Sequence, residues 1–138
     1  MMTSHLEAFE FVFAGPTPAV LQTYRKDGTV KLSPVWFRHN EDCFEVIVAE
    51  DDVKLKHLKR DPRVNLLIFE TAPPFRGVQV CTEVTWSTEN LDETRRAISS
   101  RYLGDEKSKA FTERRRGNGV VVRIPSGAAR TWGLSAIT

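Results

Sequence analysis

The sequence has 138 residues, of which 41% are hydrophobic and 28% are charged, a composition typical of a globular protein with a buried core. The formal net charge of +2 is too small to indicate a nucleic-acid-binding protein by itself. No apolar run reaches the length of a membrane helix and no secretory leader is recognisable, so we expect one soluble, cytoplasmic domain over residues 1–138.

Neither the cysteines nor the histidines predict a metal site. Cys43 and Cys81 are the only cysteines, and their spacing matches no metal-binding motif and no disulfide framework. Both fall in segments predicted as strands, so we expect two buried thiols in a reducing compartment. The three histidines form no pair with metal-ligand spacing, and the common nucleophile and phosphate-loop motifs are absent.

The first segment of the chain leaves two interpretations open. Residues 5–13 fit a short helix that ends at Gly15-Pro16, because proline cannot continue a helix. The aromatic residues at alternate positions of the same segment suit a strand equally well.

A β-hairpin is predicted over residues 19–38. An Asp-Gly dipeptide separates two strand-like runs, and glycine accepts the positive φ that a tight turn requires. In the second run Val30 and Leu32 alternate with polar residues, so we expect them to share one face. Pro34 removes one donor from the ladder, which predicts a bend, a bulge or an edge position for this strand.

The remaining segments predict more strands than helices. Five to seven antiparallel strands at regular spacing, with few helices, predict a mainly β fold and a small β-barrel in particular. The predicted strands are residues 43–49, 64–70, 76–87, 120–124 and 128–134, and the predicted helices are residues 91–103 and 106–116.

A short, strongly basic helix is predicted within residues 51–63, between two apolar strands. Asp52 can cap its start, and Asp61-Pro62 can end it. Free backbone N–H groups and the helix dipole favour an anion at such a start, where Lys54 lies in the first turn. The alternative is an amphipathic helix whose leucines pack on the sheet and whose basic residues simply face water.

Three long motifs follow one another along the chain: LQTYRKDGTVKLSPVWF, KLKHLKRDPRVNLLIFE and PPFRGVQV. Two short ones, RYLG and RTWG, occur later. In this order the motifs resemble those of the pyridoxamine 5′-phosphate oxidase-like split barrels. More narrowly, they are similar to those of the flavin and deazaflavin oxidoreductases of that family, and the resemblance covers nearly the whole chain.

The resemblance implies an FMN-binding type of split β-barrel that forms an obligate homodimer, with the cofactor in a groove between the two barrels. The strand that carries the SPVW sequence would lie along the ring system and contact it largely through backbone. Lys54 would meet the cofactor phosphate, and the late residues would line the groove from the same or the partner subunit. Trp36 and Trp132 also suit a core or interface position. The implied cofactor-binding residues are Ser33, Pro34, Val35, Trp36, Val48, Ala49, Lys54, Arg76, Gly77 and Trp132.

One stretch departs from the family pattern. Many members place threonine, serine, arginine and glycine just before the lysine, where this chain has Val48, Ala49, Glu50, Asp51 and Asp52. Like charges a few ångströms apart repel by about 1 kcal/mol or more, so three acids beside a phosphate would weaken its binding. Three alternatives stay open: the acids face solvent and Asp52 only caps the helix, phosphate is held weakly, or the site binds another group.

We therefore expect an oxidoreductase that binds FMN or the deazaflavin coenzyme F-420 and passes hydride between the cofactor ring and an unidentified small-molecule substrate. The first alternative is a non-catalytic protein of the same fold that holds flavin, haem or another tetrapyrrole. The second is a nucleic-acid-binding β-barrel that uses the basic clusters at 54–63 and 114–116. The near-neutral net charge and the lack of interleaved aromatic residues count against it, so neither nucleic acid nor membrane is expected as a partner.

Overall fold

The computed structural model describes residues 9–133, where nine strands form two antiparallel sheets and four helices flank them. This arrangement confirms the predicted mainly β fold, although residues 9–133 contain nine strands where five to seven were predicted. In chain order the elements are α1 (Glu10–Ala14), β1 (Ala19–Tyr24), β2 (Val30–Val35), β3 (Arg38–Asn40), β4 (Cys43–Val48), α2 (Val53–Arg60), β5 (Arg63–Phe69), β6 (Gly77–Glu83), β7 (Thr85–Ser87), α3 (Leu91–Leu103), α4 (Asp105–Arg114), β8 (Val120–Pro125) and β9 (Arg130–Trp132).

The two sheets enclose one hydrophobic core. The larger sheet has the strand order β2-β1-β5-β6-β9, and the smaller has the order β3-β4-β8-β7. Leu21 and Leu66 of the larger sheet and Phe44 and Ile124 of the smaller one are fully buried in this core. Leu58 of α2 packs into it as well, which fixes the basic helix against the barrel.

The predicted hairpin is confirmed, and β2 is the outer strand of the larger sheet, where a proline is tolerated. Ser33 faces the interior opposite Leu21, whereas Leu32 is 61% exposed. Val30 is exposed on the same face as Leu32, as the alternation predicted. The outward face of β2 is therefore the apolar one, and the residues described here leave it uncovered.

The single strand predicted over residues 76–87 is wrong, because the chain changes sheets at Val84. β6 belongs to the larger sheet and β7 to the smaller. Between them the Val84 N–H donates to the carbonyl of Pro62 at 3.0 Å. The inward and outward alternation continues through this break, with Val80 and Val84 buried and Cys81 exposed. Side-chain alternation therefore could not reveal that the strand divides.

The helices follow the local signals closely. α3 spans the predicted residues and ends at Gly104, whose φ is +82°. α4 begins one residue before its predicted start and ends two residues before its predicted end. Of the two interpretations of the first segment, a helix or a strand, the structure has the helix, α1. Residues 5–8 of that segment lie outside the described range. β9 occupies part of the predicted last strand, of which residue 134 is also outside that range.

The expectation of two buried thiols is wrong. Cys43 is partly buried, and Cys81 is exposed on the outer face of the larger sheet. The Cys81 thiol donates to Oδ1 of Asn65 on the neighbouring strand at 2.6 Å. A position in a strand does not imply burial, because alternate residues of a sheet with one covered face point outward.

Arg101 of α3 ties the helix pair to the barrel. Its guanidinium donates to the backbone carbonyls of Phe13 at 2.8 Å and Gly15 at 2.5 Å, and also to that of Phe37. These bonds hold α3 beside the end of β2, and the candidate site described below lies there. None of the helices within residues 9–133 is long and apolar enough to cross a membrane.

Candidate functional site

A cavity of about 440 Å³ lies where the ends of β2 and β4, the start of α2 and the helix pair α3–α4 meet. Its volume is in the range of small-molecule sites, and its surface combines apolar and aromatic side chains with three cations and one carboxylate. The lining residues are Pro34, Val35, Trp36, Ile47, Ala49, Asp52, Lys54, Arg95, Ile98, Ser99, Phe111 and Arg115.

Trp36 forms the aromatic part of the cavity together with the helix pair. Its ring stacks on that of Tyr102 with centroids 4.9 Å apart and planes 9° apart, and it lies 5.4 Å from the ring of Phe111. The indole is therefore held by aromatic packing and still lines the cavity. Both interpretations left open for Trp36, a packed aromatic and a site residue, describe part of its environment.

Asp52 and Lys54 form a closely bonded pair at the start of α2. Oδ1 of Asp52 caps the helix by accepting the backbone N–H of Lys54 at 2.8 Å. Oδ2 lies 2.8 Å from the Lys54 ammonium. Partial burial raises the pKa of Asp52, but the bonds from Lys54 outweigh it and keep that pKa below its ordinary value. The carboxylate is therefore ionised, and an anion at Lys54 has to compete with it.

The other two acids of this turn do not reach the cavity. Glu50 and Asp51 are exposed and are not among the lining residues. The first of the three alternatives for this acidic turn, that the acids face solvent, therefore holds for Glu50 and Asp51. Asp52 faces the cavity, where it caps the helix and also neutralises Lys54.

The helical side of the cavity was not predicted from the sequence. Arg95 of α3 is only 4% exposed, and its guanidinium donates to the carbonyls of Arg115, at 2.7 Å, and Asn118. Asp92, one turn earlier, is its ion-pair partner at 3.6 Å. Arg95 therefore fixes the loop after α4, and its only sequence signal was a position in an amphipathic helix.

Phe111 and Arg115 complete the helical side. The Arg115 guanidinium carbon lies 3.7 Å from the centroid of the Phe111 ring, and its Nη1 donates to the Phe111 carbonyl at 3.1 Å. The two residues are four positions apart and therefore share a helix face, and this spacing could have predicted their contact from the sequence. Arg115 was not singled out because it lies within a run of three arginines at 114–116, and a basic helix end is common on protein surfaces.

The cavity brings together five of the ten residues that the family resemblance implied: Pro34, Val35, Trp36, Ala49 and Lys54. Ser33 and Val48 are neighbours of this group, but their side chains are buried towards the barrel interior. The buried hydroxyl of Ser33 has no hydrogen-bond partner within residues 9–133. A ligand contact at Ser33 would therefore have to come from its backbone.

Arg76, Gly77 and Trp132 lie together elsewhere, at β6 and β9 near the opposite edge of the larger sheet. The Trp132 ring covers Gly77 so closely that a Cβ there would lie 2.1 Å from the indole. The Arg76 guanidinium donates two hydrogen bonds to the Glu70 carboxylate, at 2.8 and 2.7 Å, and its backbone N–H donates a third at 2.8 Å. These three residues do not line the cavity of their own chain, and a contribution from a partner subunit stays a prediction.

A family model described as pyridoxamine 5′-phosphate oxidase matches residues 6–133 of the chain. Among solved structures, the conserved hypothetical protein Rv2991 from Mycobacterium tuberculosis has a TM-score of 0.80 and 24% identity, covering 97% of this chain and 87% of that one. An F420 reductase has a TM-score of 0.70 and 20% identity, covering 88% and 94%. HutZ, the haem storage protein from Vibrio cholerae, has a TM-score of 0.68 and 16% identity, covering 94% of each chain.

These structural matches show a shared fold, because their identities are too low to show more. No curated protein matches the chain at a significant level. The two antiparallel sheets and the family match together confirm the predicted split barrel, and the family supports a flavin-related function in the broad sense. Because the family model spans nearly the whole sequence, this chain belongs to the pyridoxamine 5′-phosphate oxidase family.

Proposed function

We propose that the protein is an oxidoreductase that binds FMN or coenzyme F-420 in the cavity and passes hydride between the cofactor ring and a small molecule. The observation that carries the proposal is the meeting of residues 34–36, Ala49 and Lys54 around one cavity. These residues come from three separate elements, and the family resemblance had implied each of them from sequence. Family membership gives independent support for a flavin-type ligand.

The residues present fit a ligand with a planar ring and an acidic group. Val35, Ile47 and Ile98 offer apolar surface, and Trp36 and Phe111 offer aromatic surface. Lys54 and the arginines of the helical side offer cations. A bound flavin or deazaflavin would supply the hydride chemistry, and the protein would bind the ring, orient it and exclude water.

We also propose that the protein functions as a homodimer, as the resemblance implied. Large apolar side chains are exposed on elements that contribute to the cavity, namely Val30 and Leu32 on β2 and Val53 at the start of α2. Exposed apolar side chains of this size can mark a protein–protein contact. Sedimentation equilibrium of the purified protein tests this proposal, and a mass of one chain at micromolar concentration would contradict it.

Cofactor titration of the wild type and Lys54→Ala tests the function. We expect saturable binding of at least one of FMN and coenzyme F-420, followed by absorbance and fluorescence. Removing the ammonium should weaken that binding by about three- to tenfold, because a charge-assisted hydrogen bond contributes roughly 1.5–3 kcal/mol and Lys54 is already partly neutralised by Asp52. Lys56→Ala is the matched control, since Lys56 is exposed on the same helix and outside the cavity. Failure of the wild type to bind either cofactor would refute the proposal.

Two alternatives remain outcomes of the same experiments. Binding without turnover across a panel of reductants and acceptors would favour the non-catalytic carrier. Within the part of the chain that the structure describes, the cavity lining has no histidine, cysteine, methionine or tyrosine, the usual ligands of haem iron, which counts against haem. Nucleic-acid binding is disfavoured because Lys54, Arg63 and Arg116 each pair with a carboxylate of their own chain.

A further inference from the structure

The three cations that line the cavity differ in the partners that they already have within the protein. Lys54 pairs with Asp52, and Arg95 is held by Asp92 and by two backbone carbonyls. Arg115 donates to the carbonyl of Phe111, and among residues 9–133 it has no carboxylate within ion-pair distance. Three cations against the one carboxylate of Asp52 leave the lining with a formal excess of two positive charges, which lies towards the helical side.

Arg115 is also held in place before any ligand arrives. Arg95 binds its carbonyl oxygen at 2.7 Å, and the Phe111 ring supports its guanidinium at 3.7 Å. A guanidinium has five N–H donors, and among residues 9–133 only one of those of Arg115 has an acceptor. Because the side chain is already ordered, pairing with an anion costs little further rotamer entropy.

The electrostatic environment of the two arginines favours an anion between them. Burial lowers the pKa of Arg95, Asp92 opposes that shift, and Arg115 adds to it through repulsion. Asp92 does not line the cavity, so it does not relieve the repulsion from the cavity side. A carboxylate or phosphate next to Arg115 would do so, and the planar fork of a guanidinium matches either group.

We propose that Arg115 is the residue that selects for an acidic group on the ligand of this cavity, and that Lys54, neutralised by Asp52, contributes less to that selection. The ligand class is a planar heteroaromatic ring that carries a phosphate or carboxylate. The inference rests on the proposed function for the identity of the ring, and on the cavity alone for the anion.

Matched ligand pairs separate the contribution of the anion from that of the ring. FMN is compared with riboflavin, and coenzyme F-420 with its unphosphorylated deazaflavin core, by titration into the wild type, Arg115→Gln and Lys54→Ala. Arg114→Gln is the control, because Arg114 is exposed like Arg115 and carries the same charge but does not line the cavity. We expect Arg115→Gln to reduce the preference for the phosphorylated partner by about tenfold or more, with riboflavin affinity within about threefold of wild type. Arg114→Gln should stay within about twofold of wild type, since Arg114 lies outside the cavity lining and solvent ions screen its charge from the ligand.

Each of the other outcomes also tests the role of Arg115. Retention of the preference in Arg115→Gln and its loss in Lys54→Ala would overturn the inference and leave the proposed function intact. Equal losses for FMN and riboflavin would overturn it too, because Arg115 would then pack against the ligand rather than pair with its anion. If the wild type binds none of the four ligands, the proposed function fails. Inorganic pyrophosphate is then titrated while the Trp36 indole signal is followed by NMR. A saturable shift that Arg115→Gln abolishes supports the inference, and no shift refutes it.

Discussion

Replacement of Asp52 by asparagine separates the two roles that this carboxylate has at the start of α2. One oxygen caps the helix by accepting the backbone N–H of Lys54, and the other pairs with the Lys54 ammonium, both at 2.8 Å. Asparagine is as good an N-cap residue as aspartate, so Asp52→Asn keeps the cap and removes the charge. The Lys54 ammonium is then available to an anion in the cavity.

The expected gain in affinity follows from Coulomb's law. Two unit charges about 6 Å apart repel by about 0.7 kcal/mol in bulk water and by about 2.8 kcal/mol at an effective dielectric constant of about 20. The Lys54 and Asp52 side chains are 15% and 26% exposed, so their environment lies between these limits. We therefore expect removal of the repulsion to strengthen FMN binding by about 1–2 kcal/mol, or about 5- to 30-fold in dissociation constant.

The assay is FMN titration of Asp52→Asn at low and moderate salt, beside Asp51→Asn as the matched control. Asp51 is exposed and does not line the cavity, so its replacement should change affinity less than about twofold. Asp52→Ala removes the cap as well and should also lower the free energy of unfolding by about 1 kcal/mol. Unchanged or weaker FMN binding by a fully folded Asp52→Asn variant would refute the reasoning, because Asp52 would then belong to the ligand contact itself.

Two further predictions concern the elements that hold the cavity in shape. His57, buried on α2, bonds the Thr23 hydroxyl at 2.9 Å, and burial first, then nearby arginines, lower its pKa from 6.5. Its unfolded form takes up the proton first, so stability should be complete above about pH 6.5 and fall below it. His57→Gln should flatten that fall in thermal unfolding, and an unchanged pH profile would contradict the assignment. At Gly119, where φ is +114°, an added Cβ would lie 2.6 Å from the Val48 carbonyl. Gly119→Ala should therefore cost about 2–3 kcal/mol in chemical denaturation, against about 0.5 kcal/mol or less for Gly127→Ala, and equal costs would contradict it.

The elements that could be predicted are those with local signals. The Asp-Gly turn predicted the hairpin of β1 and β2, and α3 spans the predicted residues and ends at Gly104. Pro34 predicted a bend, a bulge or an edge position, and β2 is an edge strand. Each of these signals acts within a few residues of the chain, so no knowledge of distant contacts was needed.

The division of the 76–87 strand depended on contacts that local signals do not contain. β6 pairs with β5 and β9, whereas β7 pairs with β8, which lies more than thirty positions later in sequence. The chain keeps one alternation of inward and outward side chains while it passes from one sheet to the other. Only the pairing partners show the change, and those are set by the closure of the whole barrel.

The candidate site also has a part that local signals predicted and a part that they did not. The end of β2 and the start of α2 were predictable, because an edge strand with proline and a capped basic helix have local signatures. The helical side was not, since Arg114, Arg115 and Arg116 look alike in sequence. The rotation of α4 against α3 decides which of them faces the cavity, and that rotation is set by packing between the two helices.

The acidic turn before α2 and the arginines of the helical side form one charge arrangement. Glu50 and Asp51 face solvent, where ions screen them within about 8 Å at physiological salt, so their effect on the cavity is small. The unfavourable charge is concentrated in Asp52, which is placed where the helix needs a cap. That end of the cavity is consequently close to neutral. On the helical side Arg95 pairs with Asp92, whereas Arg115 has no carboxylate within ion-pair distance among residues 9–133. An anionic ligand group is therefore expected to gain more from the helical side than from the helix start. Asp52→Asn removes a negative charge from the cavity lining and Arg115→Gln removes a positive one, so the two variants should shift FMN affinity in opposite directions.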